Sequence, residues 1–213
     1  MPPSDHIVTE LPDPWLYVDE IAHRTMNDYA FMLAAIDCAA GDLIDPNSLR
    51  VLDEVRARLK AGAYAHRLLR PPRARVVRRL DEDMERLCVA LSSLMPPDQT
   101  IGLTLCCEPV EFDARRSWQA CLIVSELVTN AVKHSFRGGD VGEVAIEVRR
   151  IGAELRLVVS DNGSACEVAS LGRGSGIVSG LVEQLGGVLW RKHTPTGSTI
   201  VVSCPAEDDF GRL

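Results

Sequence analysis

Aromatic residues are scarce in this chain, making up 5% of its 213 residues. The core must therefore come mainly from Leu, Val, Ile and Ala. No stretch reaches the run of about 18 apolar residues that a membrane-spanning helix needs. The opening Met1-Pro2-Pro3-Ser4-Asp5 lacks the basic-then-apolar pattern of a secretory signal. No C-x-x-C pair or Cys/His cluster has metal-ligand spacing. The seven cysteines (Cys38, Cys88, Cys106, Cys107, Cys121, Cys166 and Cys204) are odd in number, and most lie in apolar runs. They read as small core residues of a protein kept in a reducing compartment. The expectation is a cytoplasmic protein with no membrane sensor of its own. A net charge of −7 works against general binding to nucleic acid or acidic lipid.

What is present is an ordinary globular composition, 46% apolar and 25% charged. Residues 1–13 are polar and proline-bearing and read as a loose leader. Residues 14–40 hold no internal Gly or Pro after Pro14. Ile21, Ala22, Met26, Tyr29, Ala30, Leu33 and Ile36 recur at helical spacing. Gly41 stops that helix, and Asp45-Pro46-Asn47 starts a second, over residues 46–69. Two helices joined by a short turn form a hairpin whose apolar stripe is best covered by a second copy, giving a dimeric four-helix bundle. Arg70-Pro71-Pro72-Arg73-Ala74-Arg75 is the clearest boundary. It divides the chain into a leader at 1–13, a hairpin domain at 14–72 and a second domain at 73–213. Its arginines read as a solvated linker or, alternatively, as a docking patch for an acidic partner.

The second domain begins with a helix over 76–94 and a strand at 101–106. A long helix follows at 114–135, then paired strands at 143–149 and 154–159. A glycine-rich loop at 172–176 leads into a helix at 177–185, and strands at 188–192 and 198–203 finish the pattern. Helices and strands in this mixed order, with hairpins among them, predict an α+β sandwich, one sheet covered on one face by helices.

Four groups of residues carry chemistry. On the long helix, Glu126, Asn130, Lys133 and His134 fall on or near one stripe, while Leu122, Ile123, Leu127 and Val128 form the apolar side. Oxygen donors beside a lysine suit a magnesium ion and a polyphosphate. Asp161-Asn162-Gly163 ends an apolar strand; such an Asp accepts a hydrogen bond from an adenine amino group while Gly163 lets the base approach. Gly172, Gly174 and Gly176 run into a helix, an arrangement that offers backbone N–H groups to phosphate. Pro195-Thr196-Gly197-Ser198-Thr199 turns into the last strand.

In their order and spacing these boxes, over residues 76–205, resemble the Bergerat-fold (GHKL) ATPase module shared by histidine kinases, gyrase-type ATPases, a heat-shock chaperone and MutL. The resemblance implies that ATP is bound, with Asn130 on Mg2+, Asp161 on adenine, and Gly172, Gly174 and Gly176 flanking a lid. It also implies that Thr199 supports the adenine side and that His134 contacts phosphate or the lid. The run from Glu126 to Phe136 is similar to the histidine-kinase subfamily whose phosphoacceptor box reads H-R-x-x-N (HWE-like). That box is present on the first helix as His23-Arg24-Thr25-Met26-Asn27. His23 is then the expected phosphorylated residue, since an imidazole is a competent nucleophile near neutral pH. Arg24 and Asn27 are expected at the phosphate, and Glu20, one turn earlier, is expected to orient the ring or take its proton. His6, His66 and His193 pair with no Cys or Asp at metal spacing.

The sequence departs from the family pattern at three points. Met26 stands where many relatives have lysine. Asp161-Asn162-Gly163-Ser164-Ala165 lacks the second glycine of D-x-G-x-G. Eight residues separate Gly163 from Gly172, which makes a short lid without an evident phenylalanine box. The resemblance thus implies slow turnover, or a lid that closes with a partner's help. The expected protein is a soluble, sensor-less, dimeric histidine kinase that passes phosphate from Mg-ATP to His23 and on to a response-regulator aspartate. Its input would come from an upstream sensor protein. The alternatives are a histidine phosphotransfer protein with a degenerate ATP site and an anti-sigma-factor-like serine kinase.

Overall fold

The structure, a computed structural model, describes residues 14–41, 44–74, 76–96, 100–136, 141–164 and 173–206, with side chains from 20 and from 176 onward in the first and last segments. The leader at 1–13, most of the expected lid and Gly172 lie outside the described residues.

Helix α1 (Pro14–Gly41) and helix α2 (Pro46–Leu68) form the hairpin. The start of α2 is fixed by Asp45, whose carboxylate accepts from the Ser48 backbone N–H at 2.9 Å and its hydroxyl at 2.6 Å, with Pro46 in the first turn. Arg56 reaches back from α2 to Asp37 of α1 at 3.3 Å, and the Tyr29 and His66 rings lie 5.5 Å apart. Among the described residues of α2 only Gly62 and Ala65 are buried.

Strand β1 (Val77–Arg79) runs straight into helix α3 (Leu80–Ser92). The structure corrects the expectation of one helix over 76–94. Val77, Arg78 and Arg79 pair antiparallel with strand β3 (Glu111–Asp113), through Val77↔Asp113 and Arg79↔Glu111. Three-residue strands carry too little alternation to be read from sequence. This two-stranded ribbon leads into two helices side by side. The Leu80 N–H donates to the Val110 carbonyl at 2.9 Å, and the Ala114 N–H donates to the Val76 carbonyl at 2.8 Å. Helix α4 (Ala114–His134) then begins at Asp113, whose carboxylate accepts from the Arg115 and Arg116 N–H groups.

The main sheet has the order β2-β4-β5-β7-β6, with β2 (Thr100–Cys107), β4 (Val141–Ile151), β5 (Glu154–Asp161), β6 (Val188–Thr194) and β7 (Gly197–Pro205). The β2–β4 pair is parallel and the other pairs are antiparallel. Helices α3, α4 and α5 (Arg173–Gln184) lie against the sheet, so the expected α+β sandwich stands. Residues alternate in and out along each strand. Val144, Ile146 and Val148 of β4 and Leu155, Leu157 and Val159 of β5 meet Met84 and Leu87 of α3, Ile123, Val124, Leu127 and Val128 of α4, and Val178 and Val182 of α5 in one core.

The hairpin rests on this sandwich at its base. Arg58 of α2 donates to the Leu94 and Met95 carbonyls at 3.3 and 3.1 Å, and the Trp118 indole N–H donates to the Leu69 carbonyl at 2.8 Å. A cavity at this junction is lined by Arg67, Arg70, Arg78, Asp83, Trp118 and Cys121, among others. Asp83 is already engaged there, accepting from Arg78 at 2.8 Å and Arg86 at 2.9 Å.

Candidate functional site

Helix α4 positions the first group of site residues. Its deeply apolar side, with Ile123, Val124, Leu127, Val128 and Ala131 buried, fixes its rotation about the axis. That rotation leaves Glu126 and Asn130 half-buried along one edge, and Lys133 and His134 exposed in the last turn. Basic side chains there offset the negative end of the helix dipole, an ordinary capping role. They also leave donors for an anionic ligand at that end.

The second group packs directly against the end of α4. Asp161, the last residue of β5, turns its carboxylate back to accept from the Gly163 N–H at 3.1 Å. Gly163 is buried, and a Cβ there would overlap the Ser135 carbonyl at the C-terminal cap of α4. Only glycine lets the two segments come so close. Asn162 links the same turn to β4. Its side-chain oxygen accepts from the Glu143 N–H at 2.8 Å, and its own N–H donates to the Glu143 carbonyl at 3.2 Å. Gly197 completes the cluster from β7 with φ +143, and a Cβ on it would overlap the Asp161 carbonyl. Three of the four boxes read from sequence thus meet at one end of the sheet.

The strand register changes one assignment. Asp161 pairs with Val144 and Ser198, on the helix-covered face, whereas Thr199 pairs with Ser160 and Lys192 on the opposite face. Thr199, expected to support the adenine side, thus faces away from Asp161, whereas Ser198 is buried beside it. The pairing of Ser198 with Asp161, long-range in sequence, sets these faces.

The glycine run also differs from expectation. Helix α5 begins at Arg173, so Gly174 and Gly176 lie in its first turns rather than in a loop. Burial of Val178, Leu181 and Val182 against the core outweighs the cost of glycine in a helix, roughly 1 kcal/mol per residue. At Gly176 a Cβ would meet nothing within 4 Å, so packing does not require that glycine.

His23 lies away from this cluster, exposed on α1. Asn27, one turn on, has its amide nitrogen 3.3 Å from His23 Nδ1. Arg24 donates from Nε to Glu20 at 2.7 Å, and this contact raises the already high guanidinium pKa. Glu20 thus pairs with Arg24 in the structure, and the imidazole is met by Asn27. Among the described residues no group of three or more His, Cys, Asp and Glu is arranged to hold a metal, and no helix is long and apolar enough to cross a membrane.

Comparison with known proteins fits this arrangement. Residues 117–208 match the family described as "Histidine kinase-, DNA gyrase B-, and HSP90-like ATPase". These residues, less than half of the chain, are similar to that group of ATPases. The match takes in most of α4, the Asp161–Gly163 turn, α5 and the Gly197–Ser198 corner. The sensor histidine kinase PdtaS of Mycolicibacterium smegmatis is 28% identical over 192 residues, covering 87% of this chain and 38% of that protein. The serine-protein kinase RsbW of Listeria monocytogenes is 43% identical over 47 residues, 22% of this chain and 30% of that protein. The chain thus spans less than two fifths of the length of these curated relatives. The histidine kinase domain of the Erythrobacter litoralis EL346 blue-light activated histidine kinase superposes with a TM-score of 0.60 at 20% identity, covering 84% of this chain and 96% of that one, and shares its fold.

Proposed function

We propose that the chain is a protein-histidine kinase of the H-R-x-x-N (HWE-like) type, which moves the γ-phosphoryl group of Mg-ATP to His23 and then to an aspartate of a response-regulator receiver domain. The observation that carries this reading is an exposed His23 in an H-R-x-x-N box, on a hairpin joined to a histidine kinase-like ATPase domain. Asp161 and Ser198 would hold the adenine. Glu126 and Asn130, oxygen donors one turn apart on α4, suit a magnesium ion, which would neutralise phosphate charge. Lys133 and His134 would serve the phosphates. The work of this chain is then positioning and charge compensation more than covalent assistance.

A second copy of the chain is the proposed partner of the hairpin. Ile21, Phe31, Val51 and Val55 are exposed on it, more apolar surface than a lone hairpin keeps in water. A separate sensor protein is the proposed source of input. The six described cysteines are all free thiols, in keeping with a reducing cytoplasm.

The test is incubation with γ-labelled ATP and magnesium beside a His23→Gln variant. Acid-labile label on the wild type and none on the variant is the expected result. The local similarity to a serine-protein kinase gives a second reading, which predicts acid-stable label on a partner protein in both.

A further inference from the structure

We infer that Asn27 is the positioning residue that decides which nitrogen of His23 is nucleophilic, a role that rests on His23 being the phosphoacceptor. The observation is the 3.3 Å approach of the Asn27 amide to His23 Nδ1, across one turn of α1. A neutral imidazole has one nitrogen bearing hydrogen and one bearing a lone pair, and the hydrogen bond at one nitrogen sets the state of the other. Nδ1 is next to the carbon that joins the ring to the helix, and Asn27 occupies it. Nε2 is the outer nitrogen of an exposed side chain, and it is the one an incoming phosphoryl group can reach.

The two ends of an amide have opposite effects. If the NH2 of Asn27 donates to Nδ1, the ring hydrogen sits on Nε2, which then has no lone pair to offer. If the amide turns over, Oδ1 occupies nearly the same place and accepts from Nδ1–H, and Nε2 carries the lone pair. The two ends are alike in size, so the turnover needs no backbone movement. In the second state Nε2 forms a bond to the γ-phosphorus while the bond from that phosphorus to the bridging oxygen breaks, and ADP leaves with the electron pair. No proton has to depart from Nε2. The positive charge that develops on the ring is shared with Nδ1–H, which still donates to Asn27 Oδ1.

This division of labour follows from the rest of the box. Glu20 accepts from Arg24 Nε at 2.7 Å, so the nearby carboxylate is committed to the guanidinium. Asn27 is the group the structure places on the imidazole, and it acts through the ring rather than on the phosphate.

The experiment uses the full chain and its Asn27→Asp, Asn27→Ala and Asn27→Leu variants, with helix content checked by circular dichroism. The first readout needs no nucleotide. Long-range 1H–15N correlation of labelled histidine reports the tautomer of neutral His23. Aspartate can only accept, so Asn27→Asp is expected to enrich the Nδ1–H form, by about twofold or more for an exposed pair at helical spacing. Alanine and leucine are expected to give one common distribution, different from that of aspartate. The second readout is the rate of acid-labile labelling from Mg-ATP. Alanine and leucine should lower the maximal rate roughly tenfold through loss of a charge-assisted hydrogen bond, with the KM for ATP unchanged, and aspartate should restore it. The inference is overturned if the tautomer is the same in all four proteins, or if aspartate is as slow as alanine. Tautomer shifts in a protein that takes no label from ATP at all would instead remove the kinase reading and leave the Asn27–His23 coupling standing.

Discussion

The hairpin and the ATPase domain are held together in different ways. In the ATPase domain three helices press on one face of a five-stranded sheet, and Leu80, Met84, Leu87, Ile123, Leu155 and Leu157 are almost wholly shielded from water. In the hairpin Phe31 is 78% exposed and Ile21 is 65% exposed. What fixes the hairpin is a helix cap at Asp45, the Arg56–Asp37 pair and its footing on α3 and α4. An exposed ion pair contributes about 0–1 kcal/mol, whereas each fully buried Leu or Ile contributes roughly 1.5–3 kcal/mol. The lesson is that the sandwich holds itself through its buried core, whereas the half that bears His23 leaves large apolar side chains in reach of water.

That contrast can be broken or sharpened by substitution. The largest expected effect is at Ile123→Ala, which should lower the unfolding free energy by about 2–5 kcal/mol in denaturant melts. Val55→Ala on the hairpin should change it by less than about 0.5 kcal/mol in dilute protein, while weakening self-association measured by sedimentation. Equal losses from the two would mean that the hairpin is as self-supporting as the sandwich. Next comes Gly163→Ala, where the added methyl meets the Ser135 carbonyl. A cost of roughly 1–3 kcal/mol is expected, with weaker binding of a fluorescent ATP analogue and no change at the hairpin.

A smaller effect attaches to the acidic first turn of α3. Arg79 donates twice to Asp81, at 2.9 and 2.6 Å, and this hydrogen-bonded pair holds the buried carboxyl below its ordinary pKa. A depressed carboxyl stabilises the fold above its unfolded pKa, about 3.9. That contribution is lost as pH falls through the native value. Asp81→Asn should therefore cost about 1–2 kcal/mol at pH 7, and its melts should converge with the wild type as the pH drops below about 4. The smallest effect is chemical. Burial pushes the Cys121 and Cys107 thiols up to about 12 and Cys88 to about 11, whereas Cys38 on the hairpin and Cys106 on the open sheet face are exposed. Among the described cysteines, alkylation at pH 8 should mark Cys38 and Cys106 first, and mass spectrometry of the peptides would show the order.

The same contrast governs what was legible in the sequence. Long periodic segments announced themselves: α1, α2 and α4 were readable because their apolar residues recur every three or four positions, and the D-x-G turn because an apolar strand ends in it. The ribbon of β1 and β3 was not, since Val77–Arg79 is three residues of an arginine-rich run whose pairing lies more than thirty residues away. Gly174 and Gly176 read locally as a loop, because the core contacts of Val178 and Val182 that hold this helix are long-range. The face that Thr199 and Ser198 take was not legible, because face assignment in a strand depends on where pairing begins, and the Asp161↔Ser198 register is a long-range fact. At the acceptor box, residue spacing put Glu20, Arg24 and Asn27 near His23 but could not say which of them touches the ring.

The β1–β3 ribbon has a mechanical consequence. It is joined through residue 76 to the segment that leaves the hairpin, and it is continuous at Asp113 with the start of α4. With 21 residues, α4 is a rod about 30 Å long, set on the ribbon at one end and carrying Asn130, Lys133 and His134 toward the other. The ribbon at Asp113 and the close contact of Gly163 with Ser135 therefore hold opposite ends of one rigid element.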